Sequence, residues 1–391
     1  ILPSDWSSDV CSSDLRRLKA GFLARKAGGF VRHCHGDMHT GNMVWHKGRV
    51  MIFDCIEFNP SLFTIDVAND IAFLFMDLEH GGHPGLAWRF LNGYLQRTGD
   101  YDSIGFLRFY SLYRAMVRAK VTAIRHRQGD SDKERHATLE EHLSYLRQAF
   151  RYTAKGKPHL MITTGLSGSG KSTIAMTLSS LLQAVHLRSD IERKRLYGME
   201  ALERSQNRNP DLYTSSATEE TYRKLEGIAG YTLEEGFPVI ADATFLEKSR
   251  RDRFRELAAS KGCPFTILRV HARKTTLYER VRKRFRENRD PSEADETILC
   301  GQRSRAEHLS GEELRYTIDI DSELEIDLKN LARKLRRRAT SPLCIPCTRK
   351  KALPTSKTQR SPLAGESGNK ANAISDGRTE QNHQQRESDH R

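Results

Sequence analysis

Gly165-Leu-Ser-Gly-Ser-Gly170-Lys171-Ser172-Thr173 constrains this chain more than any other stretch in it. It fits the spacing GxxxxGK[ST]. The apolar run Leu160–Thr164 precedes it and a helical pattern, Lys171–Gln183, follows, so it sits at a strand-to-helix corner. Gly165, Gly168 and Gly170 let backbone N–H groups, those of Ser167 and Ser169 among them, converge on phosphate oxygens. The helix N-terminus adds a favourable dipole. Lys171 is placed to neutralise β/γ-phosphate charge, and the Ser172 hydroxyl to ligate Mg²⁺, with Thr173 closing the loop.

Residues 159–331 alternate strand and helix. Apolar strands are predicted at Leu160–Thr164, Ala184–Leu187, Val239–Ala241, Phe265–Val270 and Arg315–Ile320. Helices are predicted at Lys171–Gln183, Ser215–Glu235 and Glu247–Lys261. This alternation implies an α/β fold, a parallel sheet flanked by helices on both faces.

Two strand ends carry carboxylates. Asp190, in Arg188-Ser-Asp-Ile-Glu-Arg193, follows the second strand, where doubly wound folds place ligands. A carboxylate there can take the proton of an attacking hydroxyl. Arg193, three residues on, shares its helical face and can hold an anionic substrate; helix capping by Asp190 with a solvent-facing Arg193 is the equal alternative. Asp242 ends Val239-Ile-Ala-Asp242-Ala-Thr244, a position that suits Mg²⁺ held through water or the orienting of a neighbouring Arg, with helix capping as the alternative. Further on, six cations fall within residues 280–289, followed by Asp290-Pro and an acidic helix start. That suits a mobile lid bringing Arg280 or Arg284 over a transferring phosphate.

Together these elements resemble the P-loop kinases of zeta-toxin, polynucleotide-kinase and gluconate-kinase type, often labelled AAA-type ATPase domains, over about residues 158–331. The resemblance implies ATP and Mg²⁺ as cofactors and ATP-dependent phosphoryl transfer. It makes Asp190 the base, puts Arg193 on the substrate and Arg284 or Arg280 at the lid. The acceptor is left open: a small molecule or nucleotide-type hydroxyl. The alternative is a nucleotide-gated ATPase or binding module without a small-molecule acceptor.

A second motif lies upstream. His35-Gly-Asp37-Met-His39-Thr-Gly-Asn42 fits HxDxxxxN, with Asp37 as base and Asn42 as metal ligand on one catalytic loop. A hairpin over Met43–Trp45 and Arg49–Phe53 follows and delivers Asp54 where a second Mg²⁺ carboxylate belongs. Zinc held by His33, His35, Asp37 and His39 is a rival, but its spacing carries one extra residue. The helical patterns Ile65–Glu79, Leu86–Arg97, Phe106–Arg127 and Lys133–Tyr152 complete a mostly helical block. Through Glu57-Phe-Asn-Pro60, Asp66-Val-Ala-Asn-Asp70 and Phe109–Lys120 the block resembles the C-terminal lobe of a protein-kinase-like aminoglycoside phosphotransferase. The joined pair resembles bacterial bifunctional aminoglycoside phosphotransferase/ATP-binding proteins. No glycine-rich loop, strand lysine or helix glutamate precedes Asp37, so this partial lobe is not expected to catalyse efficiently on its own. The family's name refers to fold rather than substrate.

The chain thus divides into residues 16–150, a linker at 151–158, the P-loop region 159–331 and a basic tail at 332–391, whose residues 339–391 lack the apolar content to fold. Residues 1–15 have no hydrophobic period; residues 5–15 resemble a translated sequencing adapter, and 1–15 are set aside as an assembly artefact, with the natural N-terminus truncated. The net charge is +14, but the tail carries +9 of it. Nucleic-acid contact is therefore expected only as non-specific attraction to the tail. Cys344 and Cys347 form a lone CxxC without further zinc ligands nearby. Seven unpatterned cysteines, no apolar run of membrane-spanning length and no secretory leader point to the cytoplasm.

Overall fold

The structure, a computed structural model, describes residues 9–204, 210–287 and 290–340. Helix α1 (Asp9–Ala27) begins within the stretch that sequence reasoning set aside. Its attachment is physical. Arg25 donates at 2.7 Å to both Asp66 and Asp100, all three buried, and Phe22 packs on Phe106 and Tyr110.

β1 (Val31–His33) pairs antiparallel with β4 (Thr64–Asp66). Between them lie the hairpin β2 (Met43–His46) and β3 (Arg49–Ile52) and the short helix α2 (Pro60–Phe63). The hairpin turns at Lys47 and Gly48, both at positive φ, as a two-residue turn requires. α3 spans Val67–His80 rather than starting at Ile65: Asp66 accepts from Ala68 N at 2.9 Å and caps it, while Thr64–Asp66 stay extended against β1. α4 (Pro84–Thr98) stops at Gly99, in the left-handed region. α5 (Ile104–Gln128) and α6 (Asp132–Thr153) follow, α6 opening on a Ser131–Glu134 capping box. Phe73, Met76, Ala115, Ala119, Tyr145 and Ala149 pack α3, α5 and α6 together.

The sheet comprises β5 (Leu160–Thr164), β6 (Val185–Arg188), β7 (Val239–Asp242), β8 (Phe265–His271) and β9 (Thr317–Asp321), all parallel in the order β6-β7-β5-β8-β9. The crossovers are α7 (Lys171–Leu182), α8 (Ser189–Leu196), α9 (Ser215–Glu234), α10 (Lys248–Ser260), α11 (Lys274–Glu287), α12 (Glu296–Arg305) and α13 (Gly311–Leu314). α14 (Leu328–Thr340) ends the described chain.

Strand alternation divides the core. Met161, Ile240 and Leu268 face α7 and α14; Leu160, Ile162, Val239 and Ala241 face α9 and α10. The second face also receives Trp88, Leu91 and Leu95 of α4 and Leu107 of α5, so one core runs across residues 151–158. α14 continues through residues 332–340, where a tail was expected, because Leu331, Ala332 and Leu335 are buried against α7. The rest of that tail and both of its cysteines lie outside the described residues. No described helix is long and apolar enough to cross a membrane.

His159, just before β5, is buried against Thr266 (Nε2 to Oγ1, 3.0 Å), and burial pushes its pKa down to about 4. Its folded value lies below its unfolded one. Its contribution is therefore whole above pH 6.5 and lost as pH falls towards 4, about 3 kcal/mol in all. Urea unfolding at pH 7 and pH 4 should show the wild type losing that much more than His159→Asn; equal losses would exclude it.

Candidate functional site

Three adjacent strands, β6, β7 and β5, end at one cleft of about 320 Å³. The loop after β5 is shaped by its glycines. Gly165, Gly168 and Gly170 all sit at positive φ. A Cβ on Gly165 would lie 2.2 Å from Val270 O, and one on Gly168 2.7 Å from Leu277 O, so only glycine fits this close approach. Gly170 gives α7 no side-chain cap, leaving its first-turn amides available to an anion. Ser169 Oγ is buried and has no hydrogen-bond partner among the described residues, and Ser167 is also buried. Thr173 is exposed on the first turn of α7. Lys171 is buried, its Nζ donating to Leu166 O at 2.8 Å. Burial lowers its pKa to about 8; Arg284 adds to the effect, while Asp242 and Asp190 oppose it.

Asp242, the last residue of β7, is buried among donors. Thr163 Oγ1 reaches its Oδ1 at 3.3 Å, His186 Nε2 its Oδ2 at 3.2 Å, and Arg188 Nε lies 3.9 Å away. Burial raises its pKa, but His186, Arg188 and the Ser172 hydroxyl outweigh that and hold it at about 2. The Ser172 hydroxyl faces this carboxylate. A hydroxyl and an ionised carboxylate side by side beside a glycine loop are the hard oxygen donors that suit Mg²⁺.

Asp190 and Arg193 lie on α8 and both line the cleft. Arg193 is not solvent-facing: it is buried, 4.8 Å from the Tyr213 ring centroid, with Nε 3.5 Å from Thr221 Oγ1. Asp190 does not cap α8 either; the N-cap is Arg188.

The two lid arginines part company. Arg284 lines the cleft, donates to Ala294 O at 3.1 Å and keeps a buried Nε without a partner among the described residues. Arg280 is absent from the lining. It ties α11 to the glycine loop, donating to Gly168 O (3.3 Å), Ser322 Oγ (2.7 Å) and Ser322 O (3.1 Å). The acidic start after Asp290 is fastened to β6 and α8 by Arg188–Asp290 and Lys194–Glu293, each at 2.9 Å. From α12, Gln302 Oε1 accepts from Ser167 N at 2.9 Å, and Arg305 reaches the cleft. Sequence reasoning missed Gln302, Arg305, Arg250, Tyr213 and His186 as lining or supporting groups. Only His186 carried a usable signal, because strand alternation puts it on the same face as Arg188.

Residues 160–309 match the family described as AAA domain. This AAA-domain region carries the glycine loop and the strand ends that meet at the cleft. The chain is 30% identical over 270 residues to an uncharacterized protein of Mycobacterium tuberculosis, covering 69% of this chain and 53% of that one. It therefore spans about half the length of the curated relatives it matches. A sugar kinase of Janibacter is similar over 46% of this chain and 92% of its own, at 20% identity and a TM-score of 0.34. A gluconokinase of Sinorhizobium meliloti is similar over 47% and 93%, at 20% identity and a TM-score of 0.33.

Outside the AAA-domain region, Asp37 and Asn42 are brought together. Asn42 Nδ2 donates to Asp37 O at 3.0 Å and to its Oδ2 at 3.1 Å, and His39 Nε2 lies 3.4 Å from the same oxygen. The His39 bond, with help from Asn42 and Arg114, lowers the Asp37 pKa against burial. Asp70 braces this loop from α3, accepting from His35 N (2.9 Å) and Gly36 N (3.1 Å). Asp54 is exposed, at φ 61°. None of Asp37, Asn42 and Asp54 lines the AAA-domain cleft. Among the described residues, no group of three or more His, Cys, Asp and Glu side chains is arranged to hold a metal ion. His35 Nε2 is instead within 2.9 Å of Phe53 O, and His39 Nδ1 accepts from Gly41 N at 3.1 Å.

Proposed function

We propose that the chain is an ATP-dependent phosphotransferase whose working centre is the cleft at the glycine loop. The observation that carries this is the convergence of three strand ends: a glycine cradle, a buried lysine, an oxygen pair and a separate carboxylate share one pocket. The loop amides and Lys171 would hold the β- and γ-phosphates of ATP. Ser172 and Asp242 would hold Mg²⁺, which when bound neutralises phosphate charge. Asp190 would accept the acceptor's hydroxyl proton as its oxygen bonds to the γ-phosphorus. The bond to the β-phosphate oxygen breaks, and ADP leaves. Arg193 would orient an anionic acceptor and Arg284 would neutralise charge developing on the transferred group.

The acceptor is a small-molecule or nucleotide-type hydroxyl. Residues 16–150 are read as a partial aminoglycoside-phosphotransferase-like lobe, with Asp37 as its base and Asn42 and Asp54 towards metal. The Asn42–Asp37 bond supports that reading.

Titration of Mg-ATP into the folded chain should release heat at one site, lost when Mg²⁺ is withheld. No heat from folded protein would overturn the phosphate-loop reading. Labelled ATP with a cell metabolite extract should then yield one labelled acceptor. Label recovered only as inorganic phosphate would favour the nucleotide-gated ATPase.

A further inference from the structure

Contacts from the helical part converge on the back of this cleft. β6 is an edge strand of the sheet, and α4 lies along it. Asn92 stands in for a neighbouring strand: its Nδ2 donates to Ala184 O at 2.9 Å and its Oδ1 accepts from His186 N at 2.8 Å. One helical turn on, Gln96 Nε2 donates to His186 O at 3.1 Å and lies 3.4 Å from His186 Nδ1. A carbonyl oxygen can only accept, so the Gln96 atom facing it is the amide nitrogen. The ring nitrogen beside that nitrogen must then be the bare one. The ring proton accordingly sits on Nε2, aimed at Asp242 Oδ2 at 3.2 Å. His186 and Asp242 are both buried.

The same segment grips α8. Tyr101 donates to Glu192 Oε1 at 2.8 Å, and Arg195 joins Glu192 to Gln96 O. Glu192 belongs to the helix that carries Asp190 and Arg193.

We propose that Gln96 of the helical part is a positioning residue of the P-loop site: by holding His186 in its Nε2–H tautomer it fixes the Asp242 carboxylate, and so sets how tightly Mg²⁺ is held at the phosphate loop. This rests on the reading of Ser172 and Asp242 as magnesium donors. A ligating carboxylate keeps its orientation only while its own donors do, and loss of such outer partners lowers metal affinity by about 10–100-fold. Without Gln96, Asp242 alone favours that tautomer, and the ring loses the donor that holds its other edge. A ring protonated on Nδ1 presents a lone pair to a carboxylate oxygen, and the two repel.

The test uses the full chain with Gln96→Leu, and Gln96→Glu, isosteric and accepting where glutamine donates, should the leucine variant fail to fold. Tyr145→Phe, elsewhere in the helical part, is the control. Ring ¹H–¹⁵N correlations without nucleotide, assigned by their loss in His186→Asn, should show one Nε2–H form in the wild type, an Nδ1–H form in Gln96→Glu, whose carboxylate competes with Asp242 for the ring proton, and a broadened Nε2–H signal in Gln96→Leu. Binding of a fluorescent ATP analogue should need about tenfold more Mg²⁺ for half-saturation in the Gln96 variants. Nucleotide affinity without Mg²⁺ should stay unchanged, as should both readouts in Tyr145→Phe. A wild-type ring protonated on Nδ1, or an unchanged Mg²⁺ titration in a variant whose tautomer has switched, overturns the proposal while leaving the phosphate-loop reading intact. A wild type that binds no Mg-nucleotide overturns both.

Discussion

Lys171→Met is expected to lower Mg-ATP affinity by roughly 100-fold or more while making the ligand-free protein more stable, by about 1–2 kcal/mol. The two effects have one source. An ammonium whose pKa is held at about 8 by burial is a charge the fold strains to keep. Between about pH 8 and 10.5 the unfolded chain binds the proton more readily than the folded one, so below that window the charged side chain works against folding. Methionine fills the same space without the charge. In binding, the ammonium exchanges its weak partner, Leu166 O, for phosphate oxygens. Calorimetric titration and urea unfolding on the same variant check both halves. A variant that binds normally, or one that is plainly destabilised, would show that Lys171 holds the loop together rather than a ligand.

Asp190→Asn should separate binding from transfer. Asp190 lines the cleft on a helix anchored through Glu192 to Tyr101 and through Lys194 to Glu293. Replacing its carboxylate by an amide leaves that anchoring in place. Mg-ATP affinity should change by less than about twofold, whereas transfer to the identified acceptor should fall by about 10²–10⁴, the range a positioned base contributes. Full transfer by Asp190→Asn would assign the proton to another group.

The parts of the site legible in the sequence are those whose chemistry depends on spacing along the chain. The glycine loop could be read because its geometry is local: strand, turn and helix lie within about twenty residues of one another. Asp242 could be read because an apolar run ending in a carboxylate has few meanings beside such a loop. Arg193 stood level with a capping alternative until its burial against Tyr213 decided against the exposed arrangement. Arg280 and Arg284 are one helical turn apart, and their composition could not tell the arginine that braces the loop from the one that faces the cleft. Gln302 and Arg305 were invisible for a different reason. They reach Ser167 and the cleft from α12, more than a hundred residues away in sequence, and a polar residue on a charged helix carries no mark of where that helix docks. The extension of α14 through residue 340 was missed because three buried residues were outweighed by the arginines around them.

The core that runs unbroken from Trp88 and Leu91 into Val185 and Val239 has an evolutionary consequence. Residues 151–158 look like a seam at which genes could be cut and rejoined, yet a crossover there would part side chains that have been shaped to one another. Exchange of either half for a distant cousin's would leave a poorly fitted boundary of apolar surface, and with it a protein prone to clump. The two halves are therefore constrained to be inherited, and to drift, as a single item.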